Sequence, residues 1–365
     1  MRSTCTKLVL ALALTALTST APAAAPAAST AAAPTFESIG PLTFGPDGIL
    51  FAADTQAATI YAVELGAAAT GGAPGTKAIS GIDQQLAALL GTDVREIAIT
   101  DLAVHPTTRN AFISLMRGQG AGAKPVLLRV DGAGKIDIVD TAKLKATKVT
   151  LPNPPSATAT GRTPPRLQSI TDMAFQDGQL YVAGLSNEEF SSKLRALTYP
   201  FTTADNGASV EIFHGAHGQF ETRSPVYTFV PYKVNNETNL IAGYLCTPLV
   251  KFPVSSLKPG GKVMGTTIAE LGNGNRPIDM IVYKKDGKEF LLMSNTSRGV
   301  MKIPTDRFAT EPGIKAPVRE KAGIAYETIE SLKGIEQLDL LDAGHSLVLA
   351  RSAGGALHLE AVPLP

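Results

Sequence analysis

The segment His214-Gly-Ala-His217-Gly-Gln-Phe-Glu221 sets two imidazoles three residues apart and a carboxylate four residues further on. Imidazoles are ligands for zinc and copper, and a loop containing glycine has the freedom to fold both rings around one ion. The same pairing of neutral imidazole with carboxylate suits general acid–base work. Cys246 adds a thiolate to this metal set if the intervening strands bring it to the same rim. The pattern is neither a helical HExxH pair nor a paired CxxC site, so exposed or capping roles for both histidines stand beside ligation. For Cys246 the competing reading is a small buried hydrophobe on a strand. A Cys246–His217–Asp279 nucleophile set can also be drawn, but no glycine elbow surrounds the cysteine.

A second group is acidic and repeats. Asp101, Asp172 and Asp279 hold one position in the phrases ITDLAV, ITDMAF and PIDMIV, with Pro41 and Gln337 in the matching slots of IGPLTF and IEQLDL. Glu336 lies beside Gln337, and VYTFV from Val226 is a degenerate sixth copy. Carboxylates aimed at one axis repel one another and raise their pKa values unless a cation or arginine offsets them. Oxygen-rich ligation favours calcium or magnesium. The structural alternative is that each aspartate accepts backbone N–H groups ahead of a strand.

The elements that must position these groups follow from the repeat. The six phrases recur at intervals of roughly 50–70 residues, the spacing of stacked supersecondary units. Each is followed by a turn signal and a second apolar run: GPDG before ILFAAD, HPTTRN before AFISL, QDG before QLYVAGL, YKKDG before KEFLLMS, LDAG before HSLVLAR. Asp-Gly supplies the positive φ that a tight hairpin needs. A third run often follows, as in TIYAVEL, PVLLRVD and GVMKIP. Three or four antiparallel strands per unit make an all-β, six-bladed β-propeller of mostly four-stranded blades over residues 35–365. Thr35 to Ser38 is expected to supply the fourth strand of the last unit and close the ring. The one helix predicted covers Asp83–Leu90, with Leu86, Leu89 and Leu90 on one side and Gly91 as its stop.

In such a ring the lead-in to each inner strand and the turn between its second and third strands share a face. The second set of turns contributes Asp54, Arg117, Asn187, Cys246 with Thr247, Asn295, Arg298 and Arg351. The ligand-binding set expected on that face is therefore Asp101, Asp172, Asp279, Asn295, Arg298 and Glu221. The metal set is His214, His217 and Cys246. A divalent metal, calcium, zinc or copper, is the expected cofactor.

The phrases LTFGPDGILFAAD and RPIDMIVYKKDGKEFLLMSNTSRGVMKI resemble the broad group of six-bladed propellers that includes the NHL, TolB-like and SMP-30 (gluconolactonase)-like families. The absence of tryptophan and of WD signatures sets the chain apart from WD40 arrays. The resemblance to the gluconolactonases implies a divalent cation at the channel, held by a Glu in an EGP-like first lead-in. Here that lead-in is Ile39-Gly40-Pro41, without the Glu, so lactonase chemistry is inherited only from the fold, and fold does not establish function.

Composition narrows the partners. Lys and Arg number 33 against 32 Asp and Glu, for a net charge of +1, and no long like-charge run offers a footprint for nucleic acid. The amino terminus carries Arg2 and Lys7, an apolar stretch from Leu8 to Leu17 and then small residues, the grammar of a secretory signal peptide over 1–24. Residues 25–34 read as an Ala/Pro-rich disordered leader. Leader cleavage leaves Cys246 alone, so no internal disulfide is expected. No second apolar run is long enough to span a bilayer. The glycine stretches from Gly66 and Gly272 lack the context of a nucleotide loop, so no nucleotide cofactor is expected. Three functions remain: an exported (periplasmic or secreted) propeller binding a small ligand or metal ion on its top face; a metal-dependent enzyme, lactonase-like or a His/Cys-metal oxidoreductase; or a protein-interaction scaffold.

Overall fold

In the computed structural model of this chain the structure describes residues 31–70, 77–159, 163–246 and 248–365. The signal peptide expected over 1–24, the first part of the leader and Thr247 lie outside them. Each repeat phrase becomes an inner strand, and the apolar run after it becomes its antiparallel neighbour. The hairpin signals act as read. Asp177 and Gly178 join Asp172–Gln176 to Gln179–Leu185, both at positive φ (52° and 78°). Asp286 and Gly287 do the same between Pro277–Lys285 and Lys288–Asn295 (51° and 78°). Two left-handed residues match the twist of the flanking strands.

The result is a six-bladed β-propeller. The first blade has Leu42–Phe44, Leu50–Asp54 and Thr59–Glu64, the second Ile97–Val104, Ala111–Arg117, Lys124–Val130 and Ile136–Ile138. The third runs Asp172–Gln176, Gln179–Leu185, Ser192–Thr198 and Ala208–His214, with Gln219–Glu221 at its edge. The fourth runs Thr228–Val234, Glu237–Gly243, Pro248–Pro253 and Thr266–Leu271, then Lys321–Gly323. The fifth adds Gly299–Pro304 and Glu327–Thr328 to its hairpin, and the sixth has Ile335–Leu340, His345–Arg351 and Leu357–Pro363.

The blades do not follow one another around the ring in chain order. Inner strands pack in the order two, one, three, four, five, six and back to two. The chain builds three strands of the first blade, crosses to the second, and returns through Lys145–Thr150, which pairs with Thr59–Glu64 as the first blade's outer strand. It then starts the third blade on the opposite side. Each inter-blade gap holds its own apolar cluster, because strand alternation sends successive side chains to the two faces of a blade.

Closure differs from the expectation. Thr35–Ser38 does not join the last blade; it is tied to the first, where Glu37 and Ser38 donate their backbone N–H groups to Asp54 and Tyr61 donates its hydroxyl to the Thr35 carbonyl. The fourth element of the last blade is Ile79, which exchanges both backbone hydrogen bonds with Leu359 (2.8 and 3.0 Å). The crossing from first to second blade passes the last blade's open edge, so this segment covers backbone groups that an edge strand leaves unpaired. The leader expected to be disordered to Pro34 is also shorter, because Ala32 pairs with Ala146 on the edge of Lys145–Thr150. Its alanine side chains are small enough for close approach.

The helix Ile82–Leu90 stops at Gly91, which has a φ of 61°. Ile82 and Leu86 are buried in the cluster between the second and sixth blades, with Leu90 against it. Leu89 is instead 44% exposed. We expect Ile79→Ala, which empties part of this clasp, to lower the unfolding free energy by about 2–4 kcal/mol. Leu89→Ala should change it by less than about 0.5 kcal/mol. Urea unfolding of the two variants checks the assignment.

Candidate functional site

The recurring aspartates converge on the axis. Beta bulges at Ile99/Asp101 and Pro277/Asp279 shift the register at matched points of the second and fifth inner strands, and a bulge re-aims the side chain beyond it. Asp101 accepts the N–H of Leu102 (2.8 Å) and of Leu42 in the first blade (2.6 Å). Asp172 accepts from Met173 and from Phe229 in the fourth blade, both at 2.7 Å. Asp279 accepts from Met280 (2.8 Å) and from Leu338 in the sixth (3.0 Å). A fourth carboxylate, Asp339, accepts from Leu340 and from Val104 in the second blade, both at 2.7 Å. Each aspartate therefore accepts the N–H of the residue that follows it and fastens the inner strand of the next blade.

The four carboxylates line an axial cavity of about 760 Å³ walled by Phe44, Phe175, Met173, Met280 and backbone. Gly45, Pro46, Pro106, Arg109 and Gln176 also line it, so it extends toward the turns between first and second strands. Burial pushes all four carboxyls up. Asp172 is raised to about 7 and Asp339 to about 6, their backbone N–H partners pulling the other way. Asp101 and Asp279 stand well above the usual carboxylate range, through burial and the added charges of the other aspartates.

The residues expected to join this ring on one face lie elsewhere. Asn295 faces a second cavity of about 550 Å³ at the other end of the inner strands, with Arg276, Glu336, Gln337 and Arg351. Its amide is committed: it accepts from Asn275 and donates to the carbonyls of Met293 and Gly299. Arg298 donates to the Asn273 carbonyl (2.9 Å) and lines neither cavity. Glu336 is paired bidentately with Arg351. Asp54 is fully buried and holds the N-terminal segment rather than a ligand.

Glu221 belongs to a third place, with the histidines. His214 ends the strand Ala208–His214, and a tight turn brings His217 back over it, the rings 3.8 Å apart between centroids. Glu221 Oε1 lies 2.5 Å from His217 Nδ1 and 3.1 Å from His214 Nδ1. Burial raises the Glu221 pKa, but hydrogen bonding from both imidazoles and Ser224 outweighs it and holds the carboxyl at about 2. Cys246 is not part of this cluster. It is neither on a strand nor fully buried; it sits in a turn at φ 60° with its N–H on the Asn275 carbonyl. The Cys246–His217–Asp279 set is not assembled, since Asp279 lies in the channel. The remaining histidines have local duties: His105 Nδ1 accepts from Thr107 and Thr108, His358 Nδ1 from Gly81, and His345 pairs with Asp342.

Two acidic residues escaped the sequence reading. Asp339 sits two positions past the aligned slot, on the same side of the strand, and Glu270 is buried in TTIAEL on the fourth blade. An acid inside an apolar alternation was the available signal for both.

Among solved structures the chain is similar to the PQQ-bound form of an aldose sugar dehydrogenase from Streptomyces coelicolor (12% identity over 92% of this chain and 98% of that one, TM-score 0.32). It is also similar to a glucose dehydrogenase (10% identity, 93% and 99%, 0.36) and to extracellular domains 1–2 of Drosophila Semaphorin 1b (10% identity, 93% and 87%, 0.35). Likeness at this level carries no argument about activity. No protein-family model and no curated protein matches the chain.

The raised carboxyls predict a pH dependence. A folded-state pKa above the unfolded value of about 3.9 means that the folded chain holds more protons from about pH 4 to about pH 7, so stability falls as pH rises through that window. Asp172→Asn/Asp339→Asn should flatten the decline after a constant penalty for imperfect N–H pairing. Urea midpoints across this range read it; parallel curves for variant and wild type would refute the assignment.

Proposed function

We propose that this protein is an exported propeller that binds a small ligand in its axial channel, through a protonated amine or an oxygen-seeking divalent ion such as calcium or magnesium. The observation that carries the reading is the axial cavity, with four carboxyl groups directed into it and apolar walls beside them. Its volume falls within the few hundred to about 1,000 Å³ of small-molecule sites. Two acceptor positions on each carboxylate are used by backbone N–H groups, and an ionised carboxylate has about four. The remaining lone pairs supply the coordination. A positive ligand also relieves the mutual repulsion that raises Asp101 and Asp279.

Arg109 at the cavity lining restricts the ligand to one that places its positive group deep among the aspartates. The walls of Phe44 and Phe175 suit a ligand with an apolar body behind that group. Kinship with the NHL, TolB-like or SMP-30-like propellers rests on the turn and strand phrases alone. Lactonase turnover is not part of the proposal, since Ile39 stands where that resemblance places a glutamate.

Calorimetry with calcium, magnesium and a set of small primary amines tests the channel. At least one probe should bind with an affinity that rises with pH as the carboxyls ionise, and Asp172→Asn/Asp279→Asn should weaken it at least about tenfold. Absence of binding by every probe at neutral pH would contradict the reading. Export is tested separately by N-terminal sequencing of the mature protein, which should begin near residue 25.

A further inference from the structure

We propose that His214, His217 and Glu221 form a binding site for one first-row transition-metal dication of the zinc class, with Glu270 of the adjoining blade as the charge-balancing carboxylate. One ligand atom from each of the first three residues lies within 4.8 Å of the others. The two Nδ1 atoms stand 2.5 and 3.1 Å from a shared Glu221 oxygen. Metal bonds of about 2.0–2.2 Å put neighbouring corners of a tetrahedron roughly 3.3 Å apart, so the ring closes around an ion with small side-chain shifts. Two imidazoles and one carboxylate suit zinc and related ions better than calcium or magnesium, which take oxygen shells.

An imidazole–carboxylate hydrogen-bond cluster alone leaves too much unsatisfied. His214 is 2% exposed; its Nδ1 lies 3.1 Å from Glu221 Oε1, and its Nε2 has no partner. Glu270 is 1% exposed; its Oε1 accepts the Gly215 N–H at 2.5 Å and the Ala216 N–H also stabilises its charge, while Oε2 has no well-formed hydrogen bond. Buried polar groups are rarely left so without a ligand, ion or water to satisfy them. With neutral histidines the site holds two carboxylates and no cation, and one dication balances that charge.

The surroundings fit an occupied site with a way in. Gly215 sits against Val318, Ile314 and Glu270, with no room for a larger residue, and the Val318 N–H donates to its carbonyl, so the 314–318 segment covers the turn. His217 has a side-chain exposure of 45% and leaves a path from solvent. Cys246, expected as a ligand, is replaced by Glu221.

The test is titration of the full-length mature protein with zinc chloride by calorimetry, and with cobalt(II) followed by its visible absorption, which is intense for four-coordinate ions. Wild type should take up one zinc per chain. His217→Ala should weaken uptake at least about 100-fold and Glu221→Gln at least about tenfold. His345→Ala, at the separate His345–Asp342 pair, should leave it unchanged. The partly exposed His217 and the conservative Glu221→Gln keep the variants folded, which circular dichroism of the metal-free proteins checks. No stoichiometric uptake by wild type, or uptake equal in His217→Ala and wild type, overturns the proposal.

Discussion

Each channel aspartate accepts one N–H from its own strand and one from the inner strand of the next blade, and this two-handed contact orders the centre of the ring. The contacts run in one direction: second blade to first through Asp101, third to fourth through Asp172, fifth to sixth through Asp279, sixth to second through Asp339. The two steps without an aspartate use other polar ties. Arg166 and Ser169 donate to the carbonyls of Gln56 and Thr55 between third and first blades, and Cys246 donates its N–H to Asn275 between fourth and fifth. Apolar packing between blades supplies most of the stabilisation but has no direction. The carboxylates supply register.

The same arrangement concentrates negative charge where water is scarce. Backbone N–H groups favour the ionised form, while burial and neighbouring charge oppose it. Burial wins at all four positions, so these carboxyls hold their protons to higher pH than an ordinary carboxyl does. The contacts that fix the strands use two acceptor positions of each carboxylate and leave the others unspent. The histidine cluster solves the opposite problem. Glu221 is kept ionised by its imidazole partners, yet His214 and Glu270 beside it retain unused polar atoms.

Much of this was legible in the sequence because it depends on local chemistry. Alternating apolar residues, Asp-Gly turns and the repeated phrases that carry Asp101, Asp172 and Asp279 define strands, hairpins and the inward-facing acids at short range. The exchange of the first two blades was not legible, since an outer strand such as Lys145–Thr150 looks the same whichever blade it completes. Closure through Ile79 depends on a long crossing meeting a distant edge, which no local pattern marks. Asp339 was hidden by alignment at Gln337, although a strand's two-residue period puts both positions on one side. The grouping of Asn295, Arg298, Glu221 and Cys246 with the acids failed because the acids lie along the inner strands and line a cavity that extends toward the turns between first and second strands, away from the lead-in end that Asn295 faces.

The central claim is that burial at the axis sets the protonation of the carboxylates that join the blades. Carbon-13 NMR titration of the aspartate side-chain carboxyls measures it residue by residue. The account predicts that Asp172 titrates near 7 and Asp339 near 6, with Asp101 and Asp279 also well above the ordinary range. Titration of all four near the ordinary value of about 4 would contradict it, and would remove the electrostatic reason for a positive ligand in the channel.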